Sequence, residues 1–204
     1  PPRSTLFPYT TLFRSGYRAS IGEGHPRTLA ARLNLGIAHY RSTDCATAVE
    51  LLESLVDDAT EHLGPTNLLT LDGMQGLAAA CECAGDPRRA KELNEIVLAK
   101  RIELQGEEAP YTLQAMNNLA VNLERLGEHA RAAELHERTL AMRARQLGEQ
   151  HAETIDSRAN LANALLFAGQ VDRAIALQEQ VVEERRAAVG DDDPQTLAAV
   201  ANLA

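Results

Sequence analysis

The side chains able to do chemistry are few, and their spacing decides what chemistry they could share. Six histidines stand at His25, His39, His62, His129, His136 and His151. No His-Glu-x-x-His pair, no Gly-x-Ser-x-Gly and no phosphate-cradling glycine loop accompanies them. Zinc hydrolysis, acyl transfer and nucleotide binding therefore lack their residues. His25 and His151 hold the same place in a repeating pattern, where a turn-forming role is expected, and the other four scatter. The acid runs Asp57-Asp58 and Asp191-Asp192-Asp193 are expected at helix ends or in loops, the second favoured by the positive end of a helix dipole. The chain reads as a non-enzyme, with no catalytic residue, no metal site and no cofactor.

Three cysteines complete the reactive set. Cys81 and Cys83 lie two apart on a predicted helix, about 200° around its axis, so they cannot hold one ion together. Cys45 has no partner in sequence. All three are expected to be buried small apolar side chains, consistent with a reducing compartment.

A strict period positions these residues. Thr28-Leu29, Thr70-Leu71, Thr112-Leu113, Thr154-Ile155 and Thr196-Leu197 recur every 42 residues. Six residues after each Thr stand Asn34, Gly76, Asn118, Asn160 and Asn202, followed by a Leu and then a small residue, Gly36, Ala78, Ala120, Ala162 or Ala204. Further columns are Ala48, Ala90, Ala132, Ala174 and Leu51, Leu93, Leu135, Leu177. Glycines at 22, 64, 106, 148 and 190 mark the joins. The complete units are 22–63, 64–105, 106–147 and 148–189, with a partial unit over 190–204. A fixed period of this length implies stacked supersecondary units.

Each unit reads as two helices. In the third, Leu113, Met116, Leu119, Ala120 and Leu123 keep one helical face, and Gly127 ends it. Ala132, Ala133, Leu135, Leu140 and Leu147 mark the second helix. Pro26, Pro110 and Pro194 suit a first helical turn, whose N–H groups have no helical partner. No stretch alternates as a strand would. The small residues let helix axes approach closely, and the Leu columns are expected to fill the space between units.

The pattern resembles tetratricopeptide repeats of the 42-residue, kinesin-light-chain-like type. The resemblance is carried by Leu147-Gly148-Glu149-Gln150-His151, Thr154 and Asn160-Leu161-Ala162, and by Ile21-Gly22-Glu23-Gly24-His25-Pro26 with Thr28-Leu29 and Asn34-Leu35-Gly36. It covers 16–204 and implies an all-α, right-handed α-solenoid of stacked antiparallel helix pairs. The second unit departs most, with Gly76 for Asn and Asn67-Leu68 for His-Pro.

Residues 1–15 fall outside the period and repeat Thr-Leu-Phe at 5–7 and 11–13. They resemble translated sequencing adapter and are read as a scar without assigned fold. Residues 16–21 are expected to be the tail of a preceding helix. Both ends look cut from a longer protein, and cut repeat ends offer a route to self-association.

Formal charge is −9. An acidic chain is poorly suited to nucleic acid, and no run of about 18 apolar residues suits a membrane span. The expected setting is cytoplasmic. On each first helix, a stripe turned away from its partner helix is Ala30, Asn34, Ile37 and Arg41; then Asp72, Gly76, Ala79 and Cys83; then Gln114, Asn118, Val121 and Arg125; then Asp156, Asn160, Asn163 and Phe167. The resemblance implies that these line a concave peptide-binding groove. Asn amides suit a peptide backbone, and Arg41 and Arg125 suit acidic ligand groups. The Asn column either contacts ligand or fixes the stacking of neighbouring units. Arg101, Arg143 and Arg185, late in the second helices, read as structural. The expected function is a protein-interaction scaffold holding a protein or peptide segment. The alternative is a sensor or oligomerisation arm of a larger regulator, such as a bacterial signalling ATPase.

Overall fold

The computed structural model describes residues 22–203; the segment 1–15, read as a scar, and the helix tail expected over 16–21 lie outside the described residues. Among these, helices follow one another without a strand: α1 Pro26–Arg41, α2 Cys45–Leu63, α3 Leu68–Cys83, α4 Pro87–Gln105, α5 Pro110–Arg125, α6 His129–Leu147, α7 Ala152–Phe167, α8 Val171–Val189 and α9 Pro194–Leu203. The chain divides between Leu104 and Gln105 into two compact units. The first holds α1 to α4 and the second α5 to α9.

The turns explain the period. After each odd-numbered helix the chain closes with a bond from the sixth residue back to the first: Asp44 N–H to His39 O, Asp86 to Cys81, Glu128 to Leu123 and Gln170 to Leu165. This motif needs a left-handed residue before the donor. Gly85, Gly127 and Gly169 supply it at φ 87°, 76° and 79°. The first repeat has Thr43 there instead, at φ 63°.

The joins between repeats use a different device, which gives the Thr column its role. The buried hydroxyls of Thr28, Thr70 and Thr112 donate to the carbonyls of Gly22, Gly64 and Gly106 at 2.8, 2.9 and 2.8 Å. Each bond ties a first helix to the loop that enters it. Thr154 and Thr196 are equally buried, and their hydroxyls make no such bond.

The expected turn-forming role of His25 and His151 is specifically helix capping. His25 Nδ1 accepts from Arg27 N–H at 3.1 Å and His151 Nδ1 from Glu153 N–H at 3.2 Å. Asn67 Oδ1 accepts from Leu69 N–H at 3.0 Å, so the departure in the second repeat exchanges one competent cap for another. Ala109, in the same place, offers no cap.

In the first unit the core gathers Leu29, Leu33, Leu52, Leu55 and Leu77 around Ala48, Ala59, Ala78 and Ala80. A Cβ added at Gly36 would lie 2.5 Å from Leu52 Cγ, so this column must stay small. In the second unit Met116, Leu119, Leu123, Ile155, Leu165 and Val181 are buried. The Leu51, Leu93, Leu135 and Leu177 column is only half-buried. The buried column lies one residue on, at Leu52, Asn94, His136 and Gln178. Three polar members disguised it. His136 Nε2 meets Glu124 Oε1 at 3.2 Å, and Gln178 donates to Ala199 O at 2.9 Å.

Asp57 and Asp58 lie inside α2, not at a helix end or in a loop. Asp58 is held there by Arg32 of α1. Two positions that face each other within a repeat thus exchange chemistry along the chain. In the first, third and fourth repeats they hold Arg32 with Asp58, Met116 with Met142, both buried, and Arg158 with Glu184; the second holds Met74 and Lys100, whose ammonium pairs with Glu103 instead.

Candidate peptide-binding face

Candidate residues occur in both units, and each unit presents its own face. In the first, Asn34 and Arg41 are exposed on α1 and make no polar contact within the described residues. On α3, Asp72 is paired with the buried Arg101 of α4, and Cys83 is exposed at the helix end. Gly76 lies above Leu33, with an added Cβ 3.5 Å from Leu33 Cδ1. An amide here would meet an apolar side chain, which accounts for the missing Asn.

In the second unit the same stacking contact is polar. Asn160 Nδ2 on α7 donates to Asn117 Oδ1 on α5 at 3.0 Å. The Asn column therefore has a stacking role at this step. Around that bridge, Gln114 is exposed and Asn118 and Asn163 are half-buried, and none of the three amides has a partner within the described residues. Arg125 is exposed at the end of α5. Asp156 is exposed but already paired, accepting from Arg185 Nη2 at 2.9 Å.

The late-helix arginines bind first helices instead of facing solvent alone. Arg101 pairs with Asp72 and Arg185 with Asp156, the same two columns two repeats apart. The intervening repeat has Gln114 in place of the acid, and Arg143 turns to Ser157 Oγ at 2.8 Å and Glu153 at 3.3 Å. These contacts anchor the second helices to the first ones, beneath the candidate stripe.

Local electrostatics follow burial. Burial pushes the Glu184 carboxyl above its usual range, against the pull of Arg158. The hydrogen bond from His39, aided by Thr47, holds Asp44 below the usual range. Burial also raises the Cys81 thiol, which is free and buried as expected.

The other two cysteines correct the sequence reading. Cys45 is half-buried, Cys83 is exposed, and the two are joined as a disulfide with Cα atoms 5.7 Å apart. Their separation of 38 residues falls short of the period, which hid the pairing. It spans from the first turn of one repeat's second helix to the last turn of the next repeat's first helix. The equivalent places in the second unit hold His129 and Phe167, stacked with centroids 5.3 Å apart.

Among the described residues no group of three or more His, Cys, Asp or Glu could hold a metal, and no helix is long and apolar enough to cross a membrane. Helix pairs in tandem, with a polar stripe on the first helices, define a repeat scaffold. The tetratricopeptide repeat family profile matches residues 74–145 and 111–186, and the chain belongs to that family. Its fold class is the all-α solenoid of stacked helix pairs. The chain is similar to the crystal structure of nearly identical TPR-like repeats described as a kinesin light chain from Podosopora anserina. That likeness has 30% identity and TM-score 0.79, covering 88% of this chain and 85% of the other. It is similar in fold to BtubC (BKLC) from P. vanneervenii, at 23% identity and TM-score 0.75, over 95% and 77% of the two chains. MamA is a further fold match, at 17% identity and TM-score 0.61, over 88% and 84%. No curated protein is significantly similar in sequence. The fold is one that mediates protein–protein interaction, as repeat scaffolds generally do.

Proposed function

We propose that the chain is a non-catalytic scaffold that holds an extended peptide segment along its first helices, chiefly on α5 and α7. One observation carries this reading: Gln114, Asn118 and Asn163 present amides without internal partners beside the Asn117–Asn160 bridge. Each amide offers two donors and an acceptor, matching the alternating groups of a peptide backbone. The bridge fixes the spacing of the two helices, so the amides are pre-positioned and lose little freedom on binding. Arg41 at the end of the first unit's stripe suits a carboxylate on the ligand, while in the second unit Arg185 already neutralises Asp156. Asn34 and Arg41 extend the same chemistry to the first unit. The ligand class is therefore a protein segment with an exposed backbone and an acidic side chain or terminus.

The experiment is selection of displayed random peptides on the chain, followed by calorimetric titration of the winners. Gln114→Ala, Asn118→Ala and Asn163→Ala together should weaken binding by about one to three orders of magnitude, at about 0.5–1.5 kcal/mol per lost hydrogen bond. Circular dichroism should show an unchanged fold. Peptides that bind wild type and triple variant equally would overturn the reading.

A further inference from the structure

We infer that Cys45 and Cys83 form a thiol–disulfide exchange site, a reversible clasp between the first and second repeats that takes small disulfides and thiols as its reactants. The inference does not rest on the peptide-binding reading. Its first support is placement. Cys45 opens α2 and Cys83 closes α3, and the 5.7 Å between their Cα atoms lies inside the range a disulfide spans. Both stand clear of the apolar core, so the bond can open without exposing Leu29, Leu52 or Leu55. The remaining cysteine, Cys81, is buried and faces that core, so it does not compete.

The second support is the repeat itself. His129 and Phe167 occupy the equivalent places in the second unit and touch by stacking. A contact at this point therefore belongs to the stacking geometry of the fold. The first unit has a chemically switchable pair where the second has a permanent one.

The third support is the turn beside Cys45. Thr43 is the single non-glycine residue with positive φ among the described residues, where three sister turns have glycine. Such a residue persists where its surroundings over-determine it. Here the surroundings are Asp44 N–H to His39 O at 3.0 Å, His39 Nδ1 to Asp44 Oδ2 at 3.0 Å, Ser42 Oγ to His39 O at 2.9 Å, and the clasp. Opening the clasp removes one restraint from the turn least suited to its backbone.

The chemistry balances with a small disulfide as oxidant. The exposed Cys83 thiolate attacks one sulfur of RSSR, forming Cys83–S–S–R and expelling RS⁻. The Cys45 thiolate then attacks the Cys83 sulfur, forming the clasp and expelling a second RS⁻. Two protein thiols and one RSSR become one protein disulfide and two RSH. Reduction runs the same steps backwards, with RS⁻ attacking exposed Cys83 and Cys45 leaving as thiolate. The N-terminus of α2 favours negative charge on that leaving sulfur.

The test incubates the full chain in buffers of glutathione and its disulfide at varied ratios, then alkylates and maps peptides by mass spectrometry. The Cys45–Cys83 peptide pair should form and disappear reversibly as the ratio changes, with Cys81 alkylated only in urea. The bridged form should melt about 5–10 °C above the dithiol form, given a closed loop of this length. In Cys45→Ser and in Cys83→Ser the remaining cysteine should hold one glutathione as a stable mixed disulfide, which the wild-type pair should resolve to the bridge. A pair that stays as two thiols, collects two glutathiones, or opens only in denaturant would overturn the proposal. The wild-type mapping decides this even if a variant fails to fold.

Discussion

Replacing Arg158 by methionine tests whether the contact between the two helices of a repeat can exchange ionic for apolar chemistry. Arg158 on α7 is 6% exposed and pairs with Glu184 of α8, and also with Glu149 at 2.6 Å. The columns of Arg158 and Glu184 hold Met116 and Met142 one repeat earlier, both buried. The backbone therefore accommodates either pair. Arg158→Met alone leaves the Glu184 side chain, only 17% exposed, without its cation. Breaking a buried pair on one side costs about 3–5 kcal/mol, and the residual exposure of Glu184 puts the expected loss near the lower end, about 3 kcal/mol. Glu149 is 66% exposed and its lost bond adds little. Arg158→Met with Glu184→Met should recover all of this and gain up to about 2 kcal/mol, since well-packed apolar replacements of buried pairs are neutral or stabilising.

The pH dependence separates this account from simple packing loss. Burial raises the Glu184 carboxyl above its usual value of 4.5, and the nearby Arg158 pulls the other way. A raised folded-state value stabilises the fold at low pH and loses that contribution as pH rises through it. Removing Arg158 raises it further, so the deficit of the single variant should be largest near pH 7–8 and shrink toward pH 5. The double variant should show no such trend. Urea unfolding followed by circular dichroism at both pH values reads the midpoints and slopes, the slope exposing any loss of cooperativity along the array. A single variant within about 1 kcal/mol of wild type, or a double variant no better than the single, would refute the reasoning.

Three further perturbations use the repeats as internal controls. Thr112→Val should cost about 1 kcal/mol by removing the hydroxyl's bond to the Gly106 carbonyl, whereas Thr154→Val, whose hydroxyl makes no bond, should be neutral or slightly stabilising; paired thermal melts decide. Ala109→Asn should stabilise the second unit by about 0.5–1 kcal/mol, because Ala109 has the backbone of the Asn67 cap, φ −66° and ψ 142° against −68° and 139°, and slower hydrogen exchange in the first turn of α5 would show it. Gly36→Ala should cost about 1–2 kcal/mol, as overpacking against Leu52 outweighs the helix propensity gained, and Leu52→Val in the same chain should return most of the loss in urea unfolding.

Backbone requirements were legible in the sequence, and side-chain partners largely were not. Gly127 announced the end of α5 and Pro110 its start because each restricts or frees one dihedral regardless of its neighbours. A partner depends on which residues the stack brings together, and those offsets differ from the period. Cys45 and Cys83 meet at an offset of 38, and Asn117 meets Asn160 at 43. Neither follows from a 42-residue repeat without knowing how neighbouring helices lie. Burial was hidden for a related reason. Asn94, His136 and Gln178 occupy the place of Leu52, so no apolar column marks the buried position in the sequence. A buried polar group is tolerated when the fold supplies a partner, as the Ala199 carbonyl does for Gln178. The repeats thus hold the backbone constant and vary the contact. Leu33 meets Gly76 where Asn117 meets Asn160, and a disulfide stands where a histidine stacks on a phenylalanine. These two exchanges are coupled, since one member changed alone would strand an amide or a thiol, whereas Lys100 opposite Met74 is relieved by Glu103 on its own helix. The informative unit in this chain is consequently the pair of columns in contact, and single columns mislead wherever chemistry changes on both sides together.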